Sequence, residues 1–142
     1  MQLRRILLFF GLSALLLTAC GPSPRRTDAA AGRVIVVGDS LLAAGGSDTL
    51  RFGRMHEGEI AEMRFNLRNA TQQPLVLLGC DRSCGCVSLD YEPRPILPDS
   101  TARFTARFDA RGEWGWQLKL LTLHFHGTAA TLRLFVEAEI AD

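Results

Sequence analysis

From residue 33 onward the chain alternates apolar and polar positions with a period of two. Along residues 61–68 the odd positions, Ala61, Met63, Phe65 and Leu67, are apolar and the even ones polar. Residues 102–109 repeat the pattern with the parity reversed, and residues 132–140 repeat it with Phe135 as the exception. Successive side chains of an extended strand point to opposite faces, so this period marks strands with one face packed and one wet. Shorter apolar runs at 33–37, 50–52, 74–78, 87–91 and 117–126 are further strand candidates. No stretch after Cys20 has a comparable 3.6-residue period. Turn-forming clusters at 69–74, 93–100, 110–112 and 127–128 separate these runs at the spacing of an all-β sandwich.

Two details refine that expectation. Parity slips within 117–126, where Leu118 and Leu120 are even and Leu121, Leu123 and Phe125 odd, which predicts a bulge or a change of sheet between Leu120 and Leu121. An antibody-type domain is unexpected, because Trp114 and Trp116 both follow all the cysteines instead of lying between two of them.

The N-terminal residues read differently. Arg4 and Arg5 precede an apolar run over 6–17, and Leu17-Thr18-Ala19-Cys20 ends it. Basic residues, an apolar stretch and small residues before a cysteine make a secretory signal, and the tetrapeptide resembles a bacterial lipobox. The run falls short of the roughly 20 residues a spanning helix needs. The expected organisation is a lipoprotein signal peptide at 1–19, a flexible tether at 20–32 starting from lipidated Cys20, and a sandwich domain at 33–142. Residues 21–32 contain Pro, Ala, Arg and Gly without apolar period, too little to offset the entropy of ordering. A lipid-anchored chain would face the periplasm or the cell exterior, and Gly21 in place of an aspartate leans towards the outer membrane.

Charge changes the picture only by exclusion. The chain holds 16 basic and 15 acidic residues, and loss of Arg4 and Arg5 with the leader leaves 14 against 15. That balance argues against a nucleic-acid footprint. Lys119 is the only lysine among many arginines, a bias that reads as base composition.

The order of motifs then resembles a known family. Phe52-Gly53, Glu57-Gly58-Glu59, Phe65-Asn66-Leu67-Arg68-Asn69, Pro74-Leu75-Val76 and Ser83-Cys84-Gly85-Cys86 are similar to bacterial domain-of-unknown-function family 1573. Pro95-Ile96-Leu97-Pro98 resembles its P-I-x-P-G turn, Phe108-Asp109 its strand end, and residues 115–123 its G-x-x-x-K strand with Lys119 in place. The resemblance spans residues 50–140. It implies a Hydin-like, immunoglobulin-like antiparallel β-sandwich of about seven to eight strands, often borne on lipoproteins and without established enzymatic activity. Two positions depart from the family: Asp99 stands where glycine is usual, and Cys80 is an additional thiol.

Candidate chemistry is sparse. Ile35-Val36-Val37-Gly38-Asp39-Ser40-Leu41 looks like the opening block of GDSL esterases, in which Ser40 would be the nucleophile. Their Gly-x-Asn-Asp and Asp-x-x-His blocks are missing, so the expectation is a turn. Cys80, Cys84 and Cys86 offer either a disulfide or soft-metal thiolates for copper or zinc, with His124 and His126 as possible nitrogen donors. Extended residues two apart sit roughly 6.6 Å apart, so a Cys84 to Cys86 bridge needs a bend at Gly85, whereas Cys80 reaches either partner if residues 81–83 turn. Glu57 and Glu59 are expected in a turn, and Trp114 and Trp116 as caps on a hairpin core. The sequence therefore predicts a non-enzymatic binding or assembly module without a cofactor, held to the membrane by its lipid and meeting a protein partner in the envelope. A thiol-based metal or redox protein is the second class, and an esterase at Ser40 the third.

Overall fold

The computed structural model describes residues 32–141 and the strand pairing of Arg25–Arg26. The leader, the 17–20 tetrapeptide and Cys20 lie outside the described residues. Among the described residues no helix is long and apolar enough to cross a membrane.

Two sheets face each other. In the first, β4 (Ile60–Asn69) pairs antiparallel with β7 (Thr101–Asp109), and β7 with β6 (Val87–Tyr91). The free edge of β4 takes two short parallel strands, β1 (Arg25–Arg26) and β2 (Val34–Val37). The first of these falls within the stretch read as a tether. The second sheet runs β3 (Gly46–His56), β9 (Thr131–Ala141), β8 (Gly115–Phe125), β5 (Leu77–Arg82), with β3 parallel to β9 and the other pairs antiparallel. The all-β sandwich forms as expected. Alternation sets which face a side chain takes and is silent on strand direction, so the parallel edge pairs carried no signal.

Packing follows the alternation. Ala61, Met63, Phe65 and Leu67 of β4 and Phe104, Ala106 and Phe108 of β7 are buried against Leu121, Leu123 and Phe125 of β8 and Leu132, Leu134 and Val136 of β9. Each large side chain removed from water contributes about 1.5–3 kcal/mol. Aromatic contacts brace this layer: Phe65 stacks on Phe104 with ring centroids 5.5 Å apart, and Tyr91 covers the same ring at 5.3 Å.

The bulge expected between Leu120 and Leu121 is absent. The β8–β9 register runs unbroken from Gly115↔Ile140 to His124↔Thr131. Leu121, Leu123 and Phe125 face the core, and the even positions Trp116, Leu118 and Leu120 lie on the outer face, where Trp116 is 62% and Leu118 45% exposed. An apolar outer face imitates a slip in parity. The true irregularities fall in β3, between Arg51 and Gly53, and in β5, between Leu77 and Gly79. Gly53 at φ 74° lets the chain absorb the extra residue, so that Leu50 and Phe52 are buried before it and Met55 after it.

A short helix, α1 (Asp39–Ala44), carries the chain from β2 to β3. Six residues are too few for a helical period to show in sequence. At one end of the sandwich, fully buried Asn69 joins two loops. Its Nδ2 donates to the carbonyls of Gln73 (2.7 Å) and Ile96 (2.8 Å), and its Oδ1 accepts from the backbone N–H and hydroxyl of Thr71. Nearby, Asp99 has φ 57°, a left-handed conformation that costs most side chains energy and glycine none. This accounts for the family's preference for glycine there. Its ion pair with Arg68 (3.2 Å) is exposed and contributes little. Asp99→Gly is expected to raise stability by about 0.5–1 kcal/mol, read as a higher denaturation midpoint with an unchanged slope.

Candidate functional site

The cysteine loop is the crossover from β5 in the second sheet to β6 in the first, and hydrogen bonds pin it to both. The Ser83 N–H donates to the Leu120 carbonyl (2.9 Å), and the Leu120 N–H donates to Ser83 Oγ (2.8 Å). On the other side the Asp109 N–H donates to the Cys86 carbonyl (2.8 Å). Between these anchors the chain turns at Gly85 and Cys86, and a disulfide joins Cys84 to Cys86 with the Cα atoms 5.3 Å apart. Gly85 is exposed, and a Cβ added there would meet no atom within 4 Å beyond its two chain neighbours. So short a loop contributes only roughly 1.5 kcal/mol in the chain-entropy picture, about half the value for a 15-residue loop.

Glu113 and Lys119 complete the group. The donor atoms of Cys84, Cys86 and Glu113 all lie within 4.8 Å of one another. Lys119 occupies an odd position of β8, the parity of the core-facing residues, and its ammonium reaches Glu113 Oε2 at 2.9 Å, with the two side chains 18% and 20% exposed. The alkyl stem lies on the packed side while the charge meets its partner at the end of the sheet. The Cys86 N–H donates to Cys84 Sγ at 3.1 Å, a contact that favours negative charge on that sulfur.

Of the three cysteines singled out from sequence, the structure unites two. Cys80 lies on β5 opposite Leu123 as a free thiol, and burial, reinforced by the Asp81 carboxylate, pushes its pKa up to about 11. The histidines do not join the group. His124 Nε2 is 2.8 Å from Asp81 Oδ2, and His126 is exposed. With its two sulfurs bonded to each other, the Cys84, Cys86 and Glu113 group offers no thiolate to a metal. Glu113 and Lys119 were not among the expected site residues. Lys119 is marked in the sequence only as the chain's one lysine and as the lysine of the G-x-x-x-K strand, and nothing there marks Glu113.

Other candidates disperse. Ser40 is exposed in the first turn of α1, and among the described residues no histidine is hydrogen-bonded to it. Glu57 Oε1 accepts the Gly112 N–H and Glu59 Oε2 the His56 N–H, so these carboxylates tie turns together. Trp114 and Trp116 do not cap a core. They are 57% and 62% exposed.

The chain belongs to the family described as "Protein of unknown function (DUF1573)", which it matches over residues 45–140. No curated protein matches it. Among solved structures it is similar to a protein of unknown function from Porphyromonas gingivalis W83, at 19% identity and TM-score 0.58, over 66% of this chain and 44% of that one. It is also similar to two Vibrio cholerae proteins. The secreted serine protease VesC aligns at 7% identity and TM-score 0.52 over 65% of this chain and 22% of its own. The VesB protease aligns at 12% and 0.52 over 66% and 30%. In all three the match spans less than half of the other chain, and at these identities the likeness is one of fold.

The raised pKa of Cys80 has a measurable consequence. Its thiolate fraction near neutral pH is about 100-fold below that of a thiol at the ordinary value of 9.0, so alkylation of the native protein should slow accordingly. Because the folded-state value lies above the unfolded one, stability should hold below pH 9 and fall as pH rises towards 11. Cys80→Ser should remove that alkaline decline in a denaturation series.

Proposed function

We propose that this chain is a lipid-anchored protein of the bacterial cell envelope whose β-sandwich is a non-enzymatic binding or assembly module. The observation that carries the reading is the outer face of the second sheet. Trp116 and Leu118 are exposed there, and half-buried Leu120 pairs across the ladder with Phe135. Arg51–Glu137 and Arg54–Glu139 ion pairs border this strip. An apolar strip with a charged rim has the composition of a protein-binding surface, since aromatic residues concentrate at interface centres and charges at their edges. The LTAC tetrapeptide supports the anchor, with Cys20 as the acylated residue and Gly21 favouring the outer membrane.

Two measurements test the proposal. Cys20→Ala should move the protein from the membrane fraction to the soluble one, because each buried acyl methylene contributes about 0.8 kcal/mol of attachment; persistence in the detergent phase would refute the anchor. A photocrosslinking residue at position 118 in intact cells should form an adduct with an envelope protein, lost on Trp116→Glu, whereas the same probe at Arg103 on the first sheet should form none. Equal labelling from both positions, or none from either, counts against a binding face.

A further inference from the structure

We infer that the Cys84–Cys86 bridge is a thiol–disulfide exchange site for partner thiols, with Glu113 as its proton acceptor and Lys119 as the residue that positions Glu113. The inference stands apart from the binding face proposed above, and its failure would leave that reading untouched.

Four observations converge. The bridge spans one residue, while the loop is already held by the Ser83–Leu120 and Asp109–Cys86 hydrogen bonds, so the fold has little need of it. Cys84 and Cys86 are half-buried and Gly85 between them is exposed, although neither a left-handed backbone nor a crowding neighbour requires glycine there. The Cys86 N–H already points at Cys84 Sγ, ready to stabilise that sulfur as a leaving thiolate. An ion pair four-fifths buried, which is expensive to desolvate, sits within 4.8 Å of both sulfurs through Glu113.

The step balances as follows. A partner thiol, R–SH, gives its proton to the Glu113 carboxylate as its sulfur attacks Cys86 Sγ. An R–S–Cys86 bond forms, the Cys84–Cys86 bond breaks, and Cys84 departs as a thiolate held by the Cys86 N–H. Glu113 passes the proton to Cys84. A second partner thiol attacks the partner sulfur of the mixed disulfide, closing a partner disulfide, and its proton goes to Cys86. Two electrons and two protons move from the partner thiols to the pair, so the forward sequence oxidises a partner dithiol, and the reverse sequence reduces a partner disulfide as the Cys84–Cys86 bond re-forms. Cys80, half-buried on β5 and mostly protonated, takes no part.

The full-length protein, extracted in detergent, is equilibrated in glutathione buffers of graded reduced-to-oxidised ratio, quenched with acid, alkylated and mapped by mass spectrometry, with near-ultraviolet circular dichroism recorded alongside. Both thiols should appear together across the series while the dichroism persists. Glu113→Gln should slow exchange on the order of 100-fold near neutral pH, the gap closing at alkaline pH, where the attacking thiol is already deprotonated. Lys119→Met should slow it too, and Cys80→Ser should not. A bridge that stays closed throughout, or that opens only as the dichroism collapses, overturns the proposal, as does a Glu113→Gln rate equal to wild type at every pH. The first two results need no variant, so the test survives if the Glu113 variant misfolds.

Discussion

Burial of alternate residues between the two sheets is the constraint on which the rest of this structure depends. Phe65, Phe104 and Phe108 on one side and Leu121, Leu123, Phe125, Leu134 and Val136 on the other form a shared apolar layer. A one-residue slip in any of these strands would turn its apolar set to water. Register is therefore fixed wherever the layer is dense, and irregularities are confined to edge strands. Both bulges lie there, in β3 and β5.

That fixed register aims the residues of the cysteine site. Because Leu121 and Leu123 must face inward, Lys119 two positions earlier faces inward as well, at the end of the layer. There the apolar neighbours run out and Glu113 supplies the countercharge. The β5–β6 crossover passes the same end, since the chain changes sheets there, and it brings Cys84 and Cys86 to the carboxylate. A charged pair and a disulfide thus meet where the core closes. Such a pair adds little net stability once desolvation is counted, and its position is one of the grounds of the exchange role inferred above.

The outer face of the second sheet follows the opposite logic. Nothing in the layer requires Trp116 or Leu118 to be apolar, and both are solvent-exposed. Core formation explains the odd positions of β8 and leaves the even ones unexplained. The even ones are the ground of the binding role proposed above.

Strand existence, the sandwich class and family membership were legible along the chain, because period two and turn chemistry are local properties of 61–68, 102–109 and 132–140. Position 99 stands out along the chain as a departure from the family's glycine, whereas its left-handed φ of 57° is a property of the folded loop. Three features required the tertiary structure. Alternation records faces and carries no strand polarity, so the parallel attachment of β2 and β3 went unread. An apolar outer face has the same local pattern as a shifted core face, so the pattern of β8 predicts a bulge or a change of sheet that the fold does not make. Which cysteines pair, and that Glu113 and Lys119 stand beside them, depends on a crossover that joins residues 84, 86, 113 and 119 through space. Alternation along the chain sets which residues form a core, and the packing of one sheet on the other sets which charged and sulfur-bearing side chains meet at its end.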